Sequence, residues 1–265
     1  MKFKTFYSEK YLSYARHVLK KRTVIEYERL YTQCLDKAFG STAIDAINLA
    51  SVESFHQKLS RKGKVQANRA VAVLSAILSY AVKHKAIDFN PCSAVKRNRE
   101  KSKERFLSPE ECKRLLLACD LLDDEEGAAF VKLILFTGAR PAELLSAKAA
   151  DITGDMLRIH DGKTGDRTIY LSTSAQREAA FIPFRKGLNY QRVWVKIRTM
   201  AELPGVRLYD LRHTFASSAL ASGADIGVIG QLLGHRKLQT TLRYAHLAKD
   251  KAVDAAQRAS DHMMG

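Results

Sequence analysis

Between Tyr209 and Tyr244 the chain reads YDLRHTFASSALASGADIGVIGQLLGHRKLQTTLRY, and its apolar residues dictate the local structure. Ile226, Ile229, Leu232 and Leu233 recur at three-to-four-residue spacing, the period of one buried helix face. Asp225 suits the N-cap of that helix and Gly234 its C-terminal stop. His235 therefore falls in a turn just past a helix end, where a side chain can face a ligand. Thr240 and Thr241 lead into a short helical run that carries Tyr244. Arg212, His235 and Tyr244 stand 23 and 9 residues apart, and three such side chains can form parts of one phosphate-handling site.

The rest of the chain is largely helical in pattern. Residues 6–20 and 23–39 predict two helices, the second N-capped by Thr23 and ended at Gly40-Ser41. A third starts at Ser51 and stops near Gly63, and Val65 to Lys85 carries an apolar stripe of Val71, Leu74, Ile77, Leu78 and Ala81. Asn90-Pro91 closes this region, so residues 1–95 read as a helical domain. Residues 96–105, KRNREKSKER, read as an exposed basic linker.

A second domain spans 106–265. Ser108-Pro109-Glu110-Glu111 is a capping box with proline at the first helical position. The acidic run Asp123 to Glu126 precedes a helix that ends at Thr137-Gly138-Ala139-Arg140, and Pro141 starts the next one. Arg140 is thus presented at a junction between helices. Leu157 and Ile159 alternate with Arg158 and His160, a turn-rich segment holds Lys163, and Thr168 to Leu171 is β-like. This predicts a hairpin with Lys163 near its tip. Residues 176–202 read as mostly helical, with Val193, Trp194 and Ile197 as buried candidates. The fold class is mainly α with a small β-sheet.

Charge narrows the class of partner. The chain carries +16, and residues 1–105 hold 22 Lys and Arg against 9 Asp and Glu. A polyanion, DNA above all, is the natural partner of such a body. Lys62, Lys64, Arg69 and Lys83, with Gln66 and Asn68 and the linker's Arg97 and Arg99, are the candidate contacts. Cys34, Cys92, Cys112 and Cys119 form no CxxC pair, so they read as core residues, with no metal site and no disulfide. No apolar signal core and no run of 18 apolar residues is evident, which points to a cytoplasmic protein with no membrane partner.

The chemistry available is specific. Tyrosine has an unperturbed pKa of about 10, so it attacks a phosphodiester only when the phosphate is held in line and its charge neutralised. Arg140 and Arg212 suit that task, being permanently charged, planar and able to grip two oxygens. His235 can donate to a nonbridging oxygen or handle the tyrosine proton, Lys163 can protonate the leaving oxygen, and Glu143 can orient the arginines.

LRHTFAS at Leu211–Ser217, LLGH at Leu232–His235, TTLRYAH at Thr240–His246, TGARPAEL at Thr137–Leu144 and KTG at Lys163–Gly165 together resemble the motifs of the tyrosine recombinases, the phage integrase family. The resemblance is strong after about Phe106 and loose before it. It implies a SAM-like helical core-DNA-binding domain followed by a mixed α+β catalytic domain. It also implies a covalent 3′-phosphotyrosyl link through Tyr244 and DNA cleavage and rejoining with neither metal nor cofactor. The partners it implies are a double-stranded core site, self-association to a tetramer on DNA, and accessory DNA-bending or directionality proteins. In this family the C-terminal segment, here residues 249–262, docks on a neighbouring protomer. Phage integrases often carry a further N-terminal arm-binding module. Here the helical region begins almost at Met1, so that module is absent or the chain is a fragment.

There is one departure. The family usually places histidine three residues before the second arginine, and this chain has Tyr209 there, a neutral donor. A noncatalytic DNA-binding relative, a type IB topoisomerase and a helix-turn-helix regulator are the competing readings. The ordered arginine, lysine, histidine and tyrosine argue against the first and third, and the small helical first domain against the second.

Overall fold

Aromatic residues at helical spacing build the first part of the molecule. Helix α1 (residues 3–18) and helix α2 (residues 21–39) each widen into one π-helical stretch, Tyr7–Tyr11 and Tyr31–Leu35. There Tyr7 and Tyr31 stack with ring centroids 3.5 Å apart. The structure, a computed structural model, describes residues 1–100, 104–160, 162, 165–248 and 251–264. It divides into two units, Met1–Ser102 and Lys103–Gly265.

In the first unit, α3 (Leu49–Ser60) and α4 (Lys64–Lys83) pack against the α1/α2 pair. The expected stripe on α4, Val71, Leu74, Ile77, Leu78 and Ala81, is buried in the core. By length and hydropathy α4 would also pass for a membrane span, but its apolar face is spent on this core. Two starts differ from expectation. Helix α2 begins at Lys21, after Lys20 in an extended conformation, so Thr23 lies inside it rather than capping it. Helix α3 is capped by Asn48, and Ser51 completes the capping box from its third position.

The segment expected as an exposed linker is partly tied down. The Asn98 side chain donates to Ser60 Oγ at 2.7 Å and meets His56 Nε2 at 3.1 Å. Its backbone N–H donates to Asn68 Oδ1 at 2.9 Å, and Asn68 Nδ2 donates to the Asn98 carbonyl at 2.9 Å and to Glu100 Oε1 at 2.7 Å. Arg97 donates to the Asn68 carbonyl at 2.6 Å. Residues 97–100 are therefore fastened to α3 and α4 of their own unit, and the next three linker residues, 101–103, lie outside the described ones.

The second unit opens with α5 (Pro109–Asp120), capped as expected by Ser108 and Glu111, and α6 (Glu125–Thr137). The acidic run at the start of α6 has a structural use. Asp124 caps the helix through the Gly127 N–H, and Asp124 and Glu126 together hold Arg185. Helix α7 (Pro141–Ser146) follows the TGAR turn. Strands β1 (Ile152–Thr153), β2 (Met156–Ile159) and β3 (Arg167–Tyr170) form an antiparallel sheet in that order, with Leu157 opposite Ile169. The expected helical stretch at 176–202 is two helices, α8 (Thr173–Ala179) and α9 (Tyr190–Met200), joined through Pro183. Val193, Trp194 and Ile197 are buried. Cys112 and Cys119 both lie on α5 at its core side, and all four cysteines are free thiols.

Helices α10 (Asp210–Ala221), α11 (Ile226–Leu233) and α12 (Leu238–Thr241) follow, then a 3₁₀ segment (Leu242–Ala248) and the terminal α13 (Lys251–Met264). Asp225 caps α11 and Gly234 ends it in the left-handed conformation, at φ 62°, as the sequence pattern predicts.

The Asn68–Asn98 network carries a testable consequence. Removing a hydrogen-bonding amide here leaves partners unsatisfied at a cost of about 1–2 kcal/mol. In Asn68→Ala, tryptic cleavage at Arg97 and Arg99 should therefore accelerate by about tenfold, because cleavage tracks the opened population. Equal digestion rates would show that the network does not hold the segment.

Candidate active site

Two helix ends create the site. Helices α6 and α11 both terminate at a left-handed glycine, Gly138 and Gly234, each with φ 62°. A side chain at Gly138 would also strike Phe215 and Leu233, and one at Gly234 would strike Arg167. The carbonyls around a helix C-terminus carry negative partial charge and lack intrahelical donors. Arginines fill that role here. Arg212 Nη1 donates to the Gly138 carbonyl and Nη2 to the Leu233 carbonyl, both at 2.5 Å. Arg167 Nη1 donates to the Leu232 carbonyl at 2.9 Å.

One buried carboxylate aligns the rest. Glu143, on α7, is 4% exposed. It accepts from Arg140 Nη1 at 2.6 Å and from the Arg140 backbone N–H at 2.8 Å. It also accepts from Arg167 Nη2 at 2.7 Å and Nε at 3.2 Å. Burial pushes its pKa up, but the bonds and charges of Arg167 and Arg140 outweigh that, and the net shift is downward. Two guanidiniums, Arg140 and Arg167, thus share one carboxylate, and the third, Arg212, feels its charge without bonding to it. The excess positive charge suits an anion. Arg212 itself is 1% exposed, and burial and then the charge of Arg140 lower its pKa, still leaving it cationic at neutral pH.

His235 sits in the turn after α11, with Nδ1 2.8 Å from the hydroxyl of the fully buried Thr241. Burial first, then Arg212 and Arg140, push its pKa down to about 4, so it is neutral at pH 7. When Thr241 donates to Nδ1, the proton resides on Nε2, and that edge is a donor. Tyr244, in the 3₁₀ segment, is 5% exposed, and its hydroxyl lies 2.7 Å from Nδ1 of His213. Burial pushes its pKa up to about 12, against the opposing effect of Arg212 and Arg243. Tyr209 is 46% exposed and sets its ring edge-on to His213 at 5.3 Å.

Arg212 therefore lies within electrostatic reach of Arg140, His235 and Tyr244, and of Glu143 and Tyr209. Lys163 lies outside the described residues. Of the expected DNA contacts, Lys62, Lys64, Gln66, Arg69, Lys83, Arg97 and Arg99 are exposed in the first unit, whereas the Asn68 amide is consumed by the internal network described above. Among the described residues no group of three or more His, Cys, Asp or Glu is placed to hold a metal.

Sequence reasoning gave no role to Arg167 or Thr241, and read His213, like His246, as a structural residue flanking the motifs. Arg167 left a signal, since it shares a strand face with buried Ile169 two residues on. His213 follows Tyr209 by four residues, which places both on one helix face.

Comparison with known proteins identifies the family and the fold. The phage integrase family model matches residues 105–251. The chain is 26% identical to the tyrosine recombinase XerA of Pyrococcus furiosus across 98% of this chain and 97% of that protein. It is 28% identical to XerA of Pyrococcus horikoshii, across 90% and 88%. The fold matches a lambda integrase (75–356) dimer bound to a COC′ core site, with a TM-score of 0.77 and 17% identity over 92% of this chain and 95% of that one. It also matches the Tn1549 transposon integrase in complex with a circular intermediate DNA, with a TM-score of 0.76 and 18% identity over 98% and 99%. The chain belongs to the phage integrase family. It is a tyrosine recombinase, of the class that cleaves and rejoins DNA.

The Glu143 bridge makes a prediction about stability. Its folded pKa lies below its unfolded one, so its contribution is complete above about pH 4.5 and is lost as pH falls through the folded value. Glu143→Gln leaves Arg140 and Arg167 uncompensated and should cost about 3–5 kcal/mol at pH 7. The loss should shrink on acidification. Trp194, the single tryptophan, reports unfolding of this unit by fluorescence. A pH-independent loss below 1 kcal/mol would contradict this role.

Proposed function

We propose that this chain is a site-specific recombinase in which Tyr244 attacks the scissile phosphate and forms a 3′-phosphotyrosyl link. What supports the reading is that buried Arg212 acts electrostatically on Arg140, His235 and Tyr244, which come from three other segments of the chain. Arg140 and Arg212 neutralise the nonbridging oxygens as negative charge grows. His235 donates to one of them through Nε2. Lys163 protonates the leaving 5′ oxygen, and Tyr209 adds a neutral donor beside the phosphate. The energy of the broken bond is kept in the tyrosyl ester, so resealing by a 5′ hydroxyl consumes no nucleotide and needs no metal or other cofactor.

Exposed Lys62, Lys64, Arg69, Lys83 and Arg99, with Gln66 and Arg97, bind the phosphates of a double-stranded core site. Exchange between two duplexes needs four such sites, hence a tetramer on DNA. A related assembly supports this: a lambda integrase tetramer bound to a Holliday junction matches with a TM-score of 0.74 and 17% identity. Helix α13 then docks on a neighbouring protomer. Accessory DNA-bending or directionality proteins and a cytoplasmic setting complete the proposal.

On a nicked suicide substrate carrying its core site, the protein should become attached to DNA at Tyr244 in the presence of EDTA. Tyr244→Phe should bind the same DNA and form no adduct. An adduct that persists in this variant would remove Tyr244 from the mechanism, and a strict magnesium requirement would remove the metal-free step.

A further inference from the structure

The attacking hydroxyl must lose a proton, and His235, the one group the sequence offered for that, is used in the proposed mechanism as a donor to the phosphate. Tyr209 is a neutral phenol, a donor at physiological pH. The arginines are permanently cationic. His235 has its Nδ1 on Thr241. The group in contact with the Tyr244 hydroxyl is His213, whose Nδ1 is 2.7 Å away, both residues being more than nine-tenths buried. From the geometry we infer that His213 is a further catalytic residue, the base that takes the Tyr244 phenolic proton during cleavage. This rests on Tyr244 as the nucleophile.

The electrostatic surroundings fit that task. His213 faces Arg243 and Tyr244 from the 3₁₀ segment, and Asp210, Arg212 and Tyr209 from its own helix or the residue before it. Arg207 lies just upstream, paired with Asp210, and Glu104 acts on Tyr244 from the segment before α5. Burial first and Arg243 second hold the His213 pKa below its usual value, so the free ring is neutral and can accept. The same cations oppose formation of imidazolium until an anion arrives. A DNA phosphate on Arg140 and Arg212 offsets that repulsion, so substrate binding itself makes His213 more basic.

The step balances. A lone pair on Tyr244 Oη forms the bond to phosphorus, and the bond from phosphorus to the 5′ oxygen breaks with its electrons on that oxygen. The phenolic proton moves to His213 Nδ1, while the leaving oxygen takes its proton from the acid assigned to Lys163. In resealing, the imidazolium returns its proton to Tyr244 as the tyrosyl oxygen departs.

The test uses the full chain in single-turnover cleavage of a suicide substrate, with the wild-type adduct first mapped to Tyr244. His213→Gln keeps a hydrogen-bonding amide but takes no proton. It should bind DNA normally and cleave about 10²- to 10⁴-fold more slowly. The defect should persist on DNA with sulfur as the 5′ bridging atom, because a thiolate leaves without an acid. Three results would overturn the proposal: wild-type rates, faster cleavage (a hydroxyl merely restrained by His213), or full rescue by the sulfur substrate. Trp194 fluorescence checks that the variant is folded. If it is not, the wild-type pH profile decides: base catalysis requires the rate to fall on acidification as His213 takes a proton, and a rate that stays unchanged down to the pH at which the fold is lost would refute it. Absence of a Tyr244 adduct in the wild type would instead refute the underlying nucleophile assignment.

Discussion

A single carboxylate buried among three arginines governs this site. Glu143 binds Arg140 at the N-cap of its own helix and Arg167 on strand β3. Arg167 in turn reaches the Leu232 carbonyl at the end of α11, next to the turn that carries His235. Removing Glu143 would set like charges against each other in a poorly solvated place. With it present, strand β3, the TGAR junction and the end of α11 are tied together. The cluster still has more cations than anions, and that excess is what a phosphate would satisfy.

The two left-handed glycines are the geometric counterpart of that charge. Gly138 and Gly234 end α6 and α11 so that their carbonyls face Arg212 and Arg167 rather than water. Arg212 can therefore be almost fully buried without a carboxylate of its own. Its charge meets oriented backbone dipoles, which hold it in place without cancelling it. Burial has the opposite meaning for the nucleophile. It raises the Tyr244 pKa and makes its proton harder to remove, so a hydrogen-bonded acceptor beside it matters more than it would in water.

Much of this was legible in the sequence because it follows from local rules. The cap at Ser108, the cap at Asp225, the stop at Gly234 and the junction at Arg140 each depend on a few neighbouring residues. The hairpin followed from period-two alternation. What local rules could not supply were partnerships between distant segments. Arg167 with Glu143, His213 with Tyr244, and Asn68 with Asn98 join residues 24, 31 and 30 positions apart. The basic stretch after residue 95 looked solvated by composition, yet Asn98, with Arg97 and Glu100, fastens its first half to α3 and α4.

The most direct test of the account is whether Arg140 and Arg212 act on the charge of the scissile phosphate. Replacing one nonbridging oxygen of that phosphate with a methyl group removes its negative charge and leaves the attack geometry. Arg140→Ala and Arg212→Ala should each cleave ordinary DNA far more slowly than the wild type. On the methyl-substituted DNA that gap should shrink by about tenfold or more, since a neutral phosphate has less charge to stabilise. An equal defect on both substrates would mean that the arginines serve the fold and not the phosphate.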